Sequence, residues 1–320
     1  MSAPTAFYCV TDRRYFLGAV ALTNSLRLLG HREPIYVLDC GLEEGQRRLL
    51  GAEVELVAAP AKEPPWLLKT IAPLRHPAEV MVLIDVDMIA TRPLGELIER
   101  ARSGRILAFA NDRQRFVPEW GELLELGPVR RQPYVSSGFV ALGREPGLGV
   151  LELLADRQRR VDFERTFWRA NERDYPFLYA DQCVLNAILA SQALAPERLE
   201  VLPHRLAPTP PFRGLRVVDS GRLRCAYGDG AEPYVVHHFT TKPWLESTFD
   251  GVYSRLLRRL VDGEGIAVRV PPSQLPRRLR QGARGYASRK AINARERFRW
   301  HVGDPLAERL GRRAAAGERR

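Results

Sequence analysis

The sequence predicts an α/β protein built on a mixed, mostly parallel sheet flanked by helices. Three observations carry that expectation. The first ninety residues alternate short apolar runs with stretches whose apolar residues recur at helical spacing. Strands interleaved with helices imply right-handed βαβ crossovers, which make neighbouring strands parallel. Eight of the ten residues in "VMVLIDVDMI" (80–89) are apolar, as in a strand covered on both faces.

Each element has its own signal. "AFYCVTD" (6–12) is an apolar strand ending in a polar turn. "YFLGAVALTNSLRLL" (15–29) is a helix that stops at Gly30, a natural C-cap. "PIYVLDCGL" (34–42) is a second strand, "EEGQRRLLG" opens a helix, and "AEVELVAAP" (52–60) is a third strand. After residue 94 the pattern turns mixed, with strands expected at 104–112 and 134–143. "DQCVLNAILASQ" (181–192) opens a helix, with Asp181 as N-cap and a stripe of Val184, Leu185, Ile188 and Leu189. A Pro-rich loop (203–214) precedes the strand "EPYVVHHF", and helical spacing resumes at "GVYSRLLRRLV". The segment "PPSQLPRR" divides a main domain, 1–270, from a basic extension, 271–320, that is expected to be helical or disordered.

With 320 residues, 45% hydrophobic and 27% charged, the composition is that of a soluble globular protein. No apolar run approaches the roughly 18 residues of a membrane span. The N-terminus lacks the basic region of a secretory signal, and the four cysteines form no CxxC pair. Buried thiols in a reducing, cytoplasmic compartment are therefore expected. Of the net charge of +11, the segment 271–320 supplies most, with fourteen Arg or Lys against four acids. Only four of the 49 basic residues are lysine (Lys62, Lys69, Lys242, Lys290), so arginine counts alone say little about function.

Asp85 and Asp87 interrupt the apolar run, two residues apart on what reads as one strand, and so face the same side. Two like charges in a dry site repel, and a divalent cation between them resolves the conflict. Carboxylate oxygens suit Mg²⁺ or Mn²⁺, which also take phosphate oxygens from a substrate. In open α/β sheets ligands bind beyond the carboxyl ends of the strands, which places Thr11, Asp12, Asp85 and Asp87 on one rim. "VVHHFTTKPW" (235–244) adds His237 or His238 as a third metal ligand and Lys242 as a compact charge for a diphosphate. The bland alternative is an Asp that caps a turn, a second Asp in water, and a His pair at a strand edge.

The ordered blocks "YCVTDRRYFLGAVALTNSLR", "VLIDVDMI", "YVSSGFVALG", "DQCVLNAIL" and "HHFTTKPW" span about residues 7–245. Together they resemble family 8 glycosyltransferases, a group that includes glycogenin and bacterial lipo-oligosaccharide galactosyltransferases. The resemblance implies a GT-A fold with a Rossmann-like sheet, a UDP-sugar donor and Mn²⁺. It implies that Asp12 holds the uracil and Tyr15 stacks near the base, and that Asp85, Asp87 and one of His237 and His238 bind the metal. Lys242 would contact the diphosphate, and Ser136, Ser137 and Gly138 would line the donor-sugar pocket. Asp181 and Gln182 would face the reacting anomeric carbon, and Lys69 matches a region where relatives carry a donor-binding Arg or Lys. Asn111 or Asp112 would reach the site.

Three departures stand out. The family's HxxGxxKPW is shortened here and lacks its glycine, so either histidine could be the ligand. Ser136 replaces a longer Asn or Asp, which leaves the donor sugar open. Residues 112–134 match nothing in the family pattern.

The reaction expected is transfer of a hexosyl unit from a UDP-sugar to an acceptor hydroxyl with retention. Gln182 is too weak a nucleophile for a covalent intermediate, so a same-face attack fits better. The acceptor would be a glycan, a lipid-linked glycan or a cell-envelope precursor. Two rivals remain. A sugar nucleotidyltransferase would carry a Gly-rich loop after the first strand, which "VTDRRYFLG" does not supply. A non-catalytic nucleotide-sugar-binding protein would bind UDP without turnover. In the extension, arginines mixed with Leu279, Tyr286, Ile292, Phe298 and Trp300 suit either a solvated tail or the inner face of an anionic membrane. No nucleic-acid-binding fold accompanies the charge.

Overall fold

The computed structural model describes residues 3–60, 67–239, 241–246 and 251–298. The elements in chain order are β1 (Ala6–Thr11), α1 (Phe16–Leu28), β2 (Ile35–Asp39), α2 (Glu44–Leu50), β3 (Glu55–Ala58), α3 (Ile71–Arg75) and β4 (Val80–Ile84). They continue with β5 (Met88–Ala90), α4 (Gly95–Arg102), β6 (Ile106–Ala110), α5 (Trp120–Leu123), β7 (Val135–Gly143), α6 (Arg144–Arg157) and α7 (Asp181–Ala190). The last are β8 (Leu199–Leu202), β9 (Arg216–Asp219), β10 (Arg224–Ala226), β11 (Val235–His237), α8 (Val252–Asp262) and α9 (Gly282–Phe298).

The main sheet has seven strands in the order β3-β2-β1-β4-β7-β6-β8. β1 pairs in parallel with β2 and β4, β2 with β3, and β6 with β8, while β7 runs antiparallel to both of its neighbours. The expected mixed, mostly parallel sheet is thus present, with β7 as its one reversed strand. Strand alternation feeds two cores. Phe7, Cys9, Val80, Val82 and Ile84 enter the layer with α1, α4 and α8, while Ala6, Tyr8, Met81 and Leu83 enter the layer with α6 and α7. This two-sided burial accounts for the unbroken apolar run of β4.

One expectation needs correction. The stretch 80–89 is two strands, not one. β4 ends at Ile84, Asp85 to Asp87 form a turn, and β5 leaves the main sheet to pair antiparallel with β11. The turn is pinned by Asp85 N–H donating to Gly138 O (2.8 Å) and Met88 N–H donating to Asp85 O (2.9 Å). Strand β8 and the β9–β10 hairpin carry no strong signal in the sequence, because both are short and half exposed.

α1 begins where expected. The Asp12 carboxylate accepts from the N–H groups of Arg14 (2.8 Å) and Tyr15 (3.0 Å), and the helix ends at Gly30 with φ +90°. Asn24, fully buried in α1, donates to Leu260 O and Val268 O and accepts from Val268 N–H, which fastens α1 to the C-terminal part of the chain. Leu275 and Leu279 are buried in the same core. The basic segment is helical over α9; Trp300 and the side chain of Phe298 lie outside the described residues. All four cysteines are free. No described helix is long and apolar enough to cross a membrane.

Candidate active site

A cavity of about 700 Å³ opens at the carboxyl ends of β4 and β6, beside β7 and the N-terminus of α7. Its lining includes Tyr15, Lys69, Asp85, Asp87, Ser136, Ser137, Gly138, Asp181, Gln182, His237 and Lys242. Five separated sequence blocks therefore converge on one cavity. Thr11 and Asp12 do not line it. Thr11 is buried, and one Asp12 oxygen is taken up by the turn that starts α1.

Asp85, Asp87 and His237 each offer a ligand atom, all within 4.8 Å of one another. The β5–β11 pairing sets Met88 opposite His237, which brings the imidazole to the Asp85–Asp87 turn. His237 Nε2 lies 3.2 Å from Asp87 Oδ1, yet that buried oxygen has no hydrogen-bond donor. An orphaned carboxylate oxygen beside an imidazole nitrogen and a second carboxylate fits a divalent cation of the Mn²⁺ or Mg²⁺ class. Gly138 makes the room: a Cβ there would lie 2.7 Å from Met88 Cε and 2.9 Å from His237 Cε1.

His238 is placed otherwise. Its ring packs against Tyr253 (5.0 Å) and Phe212 (6.0 Å), and it is not part of the cluster. Burial and the nearby Lys242 ammonium push its pKa down to about 4. Of the two histidines that the sequence left open, His237 is the one beside the carboxylates, because antiparallel pairing alternates which of two adjacent residues faces the turn.

Two lysines answer the two aspartates. Lys242 Nζ lies 2.5 Å from Asp87 Oδ2 and donates to His238 O at 2.6 Å. Burial raises the Asp87 pKa, but Lys242 and His237 outweigh it and hold the carboxyl well below its usual range. Lys69 Nζ lies 2.8 Å from Asp85 Oδ1 and 3.1 Å from Asp181 Oδ2. Burial works against the Lys69 charge, yet Asp181 and Asp85 together raise its pKa. Asp85 itself is raised, by burial and by Asp87, against the pull of Lys69.

The Tyr15 ring packs edge-on against Trp244 at 6.0 Å, with Lys242 Nζ 5.7 Å from its centroid. Burial and the carboxylates of Asp87 and Asp12 push its hydroxyl up to about 12, so it stays protonated. Trp244 is held by donating Nε1–H to Arg14 O at 2.8 Å. Gly18 lets α1 close on this group, since a Cβ there would lie 2.5 Å from Val86 O and 2.9 Å from the Trp244 ring.

Gln182 is anchored on the other wall. Its Oε1 accepts from Ser137 N–H at 3.2 Å, which ties α7 to β7. The buried Asn186, one turn on, accepts from Val135 N–H (2.7 Å) and donates to Val135 O and Gln182 O (both 2.8 Å). Ala180, just before the pair Asp181–Gln182, takes φ +44° and ψ −120°, a conformation that costs a residue with a Cβ of order 1–3 kcal/mol. The Gly138 N–H donates to Ser136 Oγ at 3.2 Å, so the short serine side chain turns back on its own strand.

Asn111 and Asp112 line the cavity, as the sequence suggested. Arg14, Phe167, Trp168, His204 and Phe239 also line it and were not foreseen. The one available signal was the "FW" pair inside a long connection. Asn186 was passed over because it lies in an apolar helix.

No protein-family profile and no curated protein matches the chain in sequence. Solved structures do match in fold. An active-site mutant of LgtC superposes with a TM-score of 0.56 at 12% identity, covering 84% of this chain and 98% of that one. The galactosyltransferase LgtC in complex with donor and acceptor sugar analogues gives 0.54 at 15% identity, with the same coverage. The apo bifunctional glycosyltransferase WbbM gives 0.50 at 12% identity over 83% of this chain and 50% of that one. At such identities the likeness is one of fold, and the fold is that of the GT-A glycosyltransferase structures.

Proposed function

We propose that the protein is a family 8-like retaining glycosyltransferase that moves a hexosyl unit from a UDP-sugar to an acceptor hydroxyl. The observation that carries this reading is the cluster of Asp85, Asp87 and His237 in a cavity that Lys242, Lys69 and Gln182 also line. Support comes from the shared fold of LgtC, whose structure holds donor and acceptor sugar analogues.

Asp85, Asp87 and His237 would hold a Mn²⁺ or Mg²⁺ ion, which when bound supplies positive charge to the leaving diphosphate. Lys242 adds a second fixed charge at the same end of the cavity, and Tyr15 would take the base, with Asp12 acting through the turn that positions it. Ser136, Ser137 and Gly138 would border the donor sugar. Gln182, fixed by Ser137 N–H and backed by Asn186, presents an uncharged amide. An amide oriented in this way stabilises an oxocarbenium-like centre better than it attacks one. The acceptor oxygen would then enter on the face the diphosphate leaves, and a departing phosphate oxygen would take its proton. The acceptor would be a glycan or a lipid-linked glycan, and the basic extension would hold the enzyme at an anionic membrane surface on the cytoplasmic side.

The test is a panel of UDP-sugars incubated with the protein and Mn²⁺, followed for UDP release and product anomer. The reading expects metal-dependent release from one sugar and an α-configured product from an α-configured donor. No release from any donor, or an inverted product, would overturn it. Formation of UDP-sugar and pyrophosphate from UTP and a sugar 1-phosphate would favour the nucleotidyltransferase instead.

A further inference from the structure

Seven large hydrophobic side chains are exposed among the described residues, and four of them, Phe167, Trp168, Phe239 and Leu245, line the candidate active-site cavity. Phe239 sits 6.0 Å from the His237 ring, at the cation end. Phe167 and Trp168 stand elsewhere, on the long connection between α6 and α7.

That connection is a built structure. Asp162 N–H donates to the Tyr175 hydroxyl (2.7 Å), Phe167 N–H to Leu178 O (2.8 Å), and the fully buried Thr166 to Phe163 O (2.7 Å). Arg115 and Trp120 fasten it from outside by donating to Tyr175 O and Pro176 O. On this firm base Trp168 is left 54% exposed and Phe167 39% exposed. Anchoring a loop does not require an exposed tryptophan, and its burial by a ligand would recover apolar area.

The aromatic rings form a ladder of edge-on and tilted contacts rather than of parallel faces, with 84° between Trp168 and Phe167 and 44° between Phe167 and Tyr179. Trp168 meets Phe167 at 5.1 Å, and Phe167 meets Tyr179 at 5.8 Å. Tyr179 O accepts from Gln182 N–H at 3.0 Å, so the ladder runs from solvent to the residue placed at the reacting carbon. We propose that Trp168, Phe167 and Tyr179 form the acceptor subsite, and that their differently inclined surfaces pack against the sugar units of an oligosaccharide acceptor. This rests on the transfer reading above and names its second substrate.

Pyranose rings present C–H faces that suit aromatic surfaces and hydroxyl edges that need polar partners. The same cavity supplies those partners in Asn111, Asp112, Arg113 and His204. A lipid tail would need a continuous apolar wall, which this lining is not. An aromatic surface of three adjoining rings favours an acceptor of at least two sugar units over a monosaccharide.

The test uses the full-length protein and a panel of α- and β-linked gluco- and galacto-configured di- and trisaccharides, with glucose and galactose as controls. Tryptophan emission is followed on titration without donor, and acceptor KM and kcat are measured with the active UDP-sugar. At least one oligosaccharide should change the emission, with an affinity about tenfold above its monosaccharides, a packing energy of about 1.4 kcal/mol. Trp168→Ala should abolish that change and raise acceptor KM about tenfold with a smaller effect on kcat, and Trp168→Phe should restore most of the loss. No response to any sugar of the panel, an equal response to monosaccharides, or an unchanged KM in Trp168→Ala would overturn the proposal. Wild-type protein that binds the oligosaccharide yet releases no UDP from any donor would keep the ladder and reject the transfer reading.

Discussion

Lys69 and Asp181 form an ion pair at 3.1 Å, and the same ammonium reaches Asp85 at 2.8 Å. One lysine thus couples the end of β4 to the start of α7, and so joins the candidate cation site to the candidate reaction site. Lys69→Met keeps the volume and removes the charge, which leaves Asp85 and Asp181 facing each other without a counter-ion. With a fifth of the lysine side chain exposed, the cost should fall below that of a fully buried pair, at about 2–3 kcal/mol. Chemical denaturation of the metal-free protein measures it. Saturating Mn²⁺ should restore part of the loss, because a cation on Asp85 replaces the missing charge.

Two glycines hold the site open, and each gives a distinct expectation. In Gly138→Ala the new methyl meets Met88 Cε, the mobile end of a flexible chain, and His237, a ring that cannot yield without leaving the cluster. Mn²⁺ affinity should drop about tenfold or more while the unfolding midpoint shifts little, a split that calorimetric titration and denaturation resolve together. In Gly18→Ala the methyl meets Val86 O, a backbone atom 2.5 Å away, so α1 must move. Here stability should fall by about 1–3 kcal/mol, the usual cost of overpacking.

Asn186 carries no chemistry but sets where Gln182 stands. Asn186→Leu would bury the Val135 N–H and C=O without partners, at about 1–3 kcal/mol for each group left unpaired. Loss of UDP release should exceed the loss of UDP binding, since Asp85, Asp87, His237 and Lys242, the residues proposed for the diphosphate, lie on other elements. Equal losses would mean that Asn186 serves the fold alone.

These residues also show what could be read without a structure. Asp85 and Asp87 were legible because carboxylates interrupt an apolar run, and the ordered motifs brought Tyr15, Lys69, Gln182, His237 and Lys242 to one cavity. The break between β4 and β5 was hidden, because the apolar spacing continues across the turn and only pairing partners distinguish one strand from two. His237 and His238 could not be separated for the same reason: the register with β5 is a long-range fact. Asn186 and Gly18 matter through partners far away in sequence or through the space they leave, and neither is visible in local pattern; Gly138 was matched by motif, but its closeness to Met88 and His237 was not. Trp168 stands in a connection that follows no family motif.

The buried thiols make a prediction about pH. Burial pushes Cys9 and Cys225 each up to about 12. A group whose pKa is raised by folding stabilises the native state below its unfolded pKa, near 8.5, and loses that contribution as pH climbs toward the folded value. The denaturation midpoint should therefore fall steadily above about pH 8.5, by about 2 kcal/mol at pH 10 for a fully buried thiol such as Cys9. Alkylation at pH 8 should label these two only on unfolding. A flat profile from pH 8 to 10 would contradict the burial assigned to them.

On the proposed reading Asp87 and His237, and not His238, help hold the cation that orients a UDP-sugar. Titration of Mn²⁺ in the presence of UDP, read by the loss of the free-ion electron paramagnetic resonance signal, tests it most directly. Wild-type protein should bind one ion, Asp87→Asn and His237→Asn should weaken binding at least tenfold, and folded His238→Asn should bind as the wild type does. Wild-type affinity in His237→Asn, or a loss confined to His238→Asn, would remove His237 from the cation site.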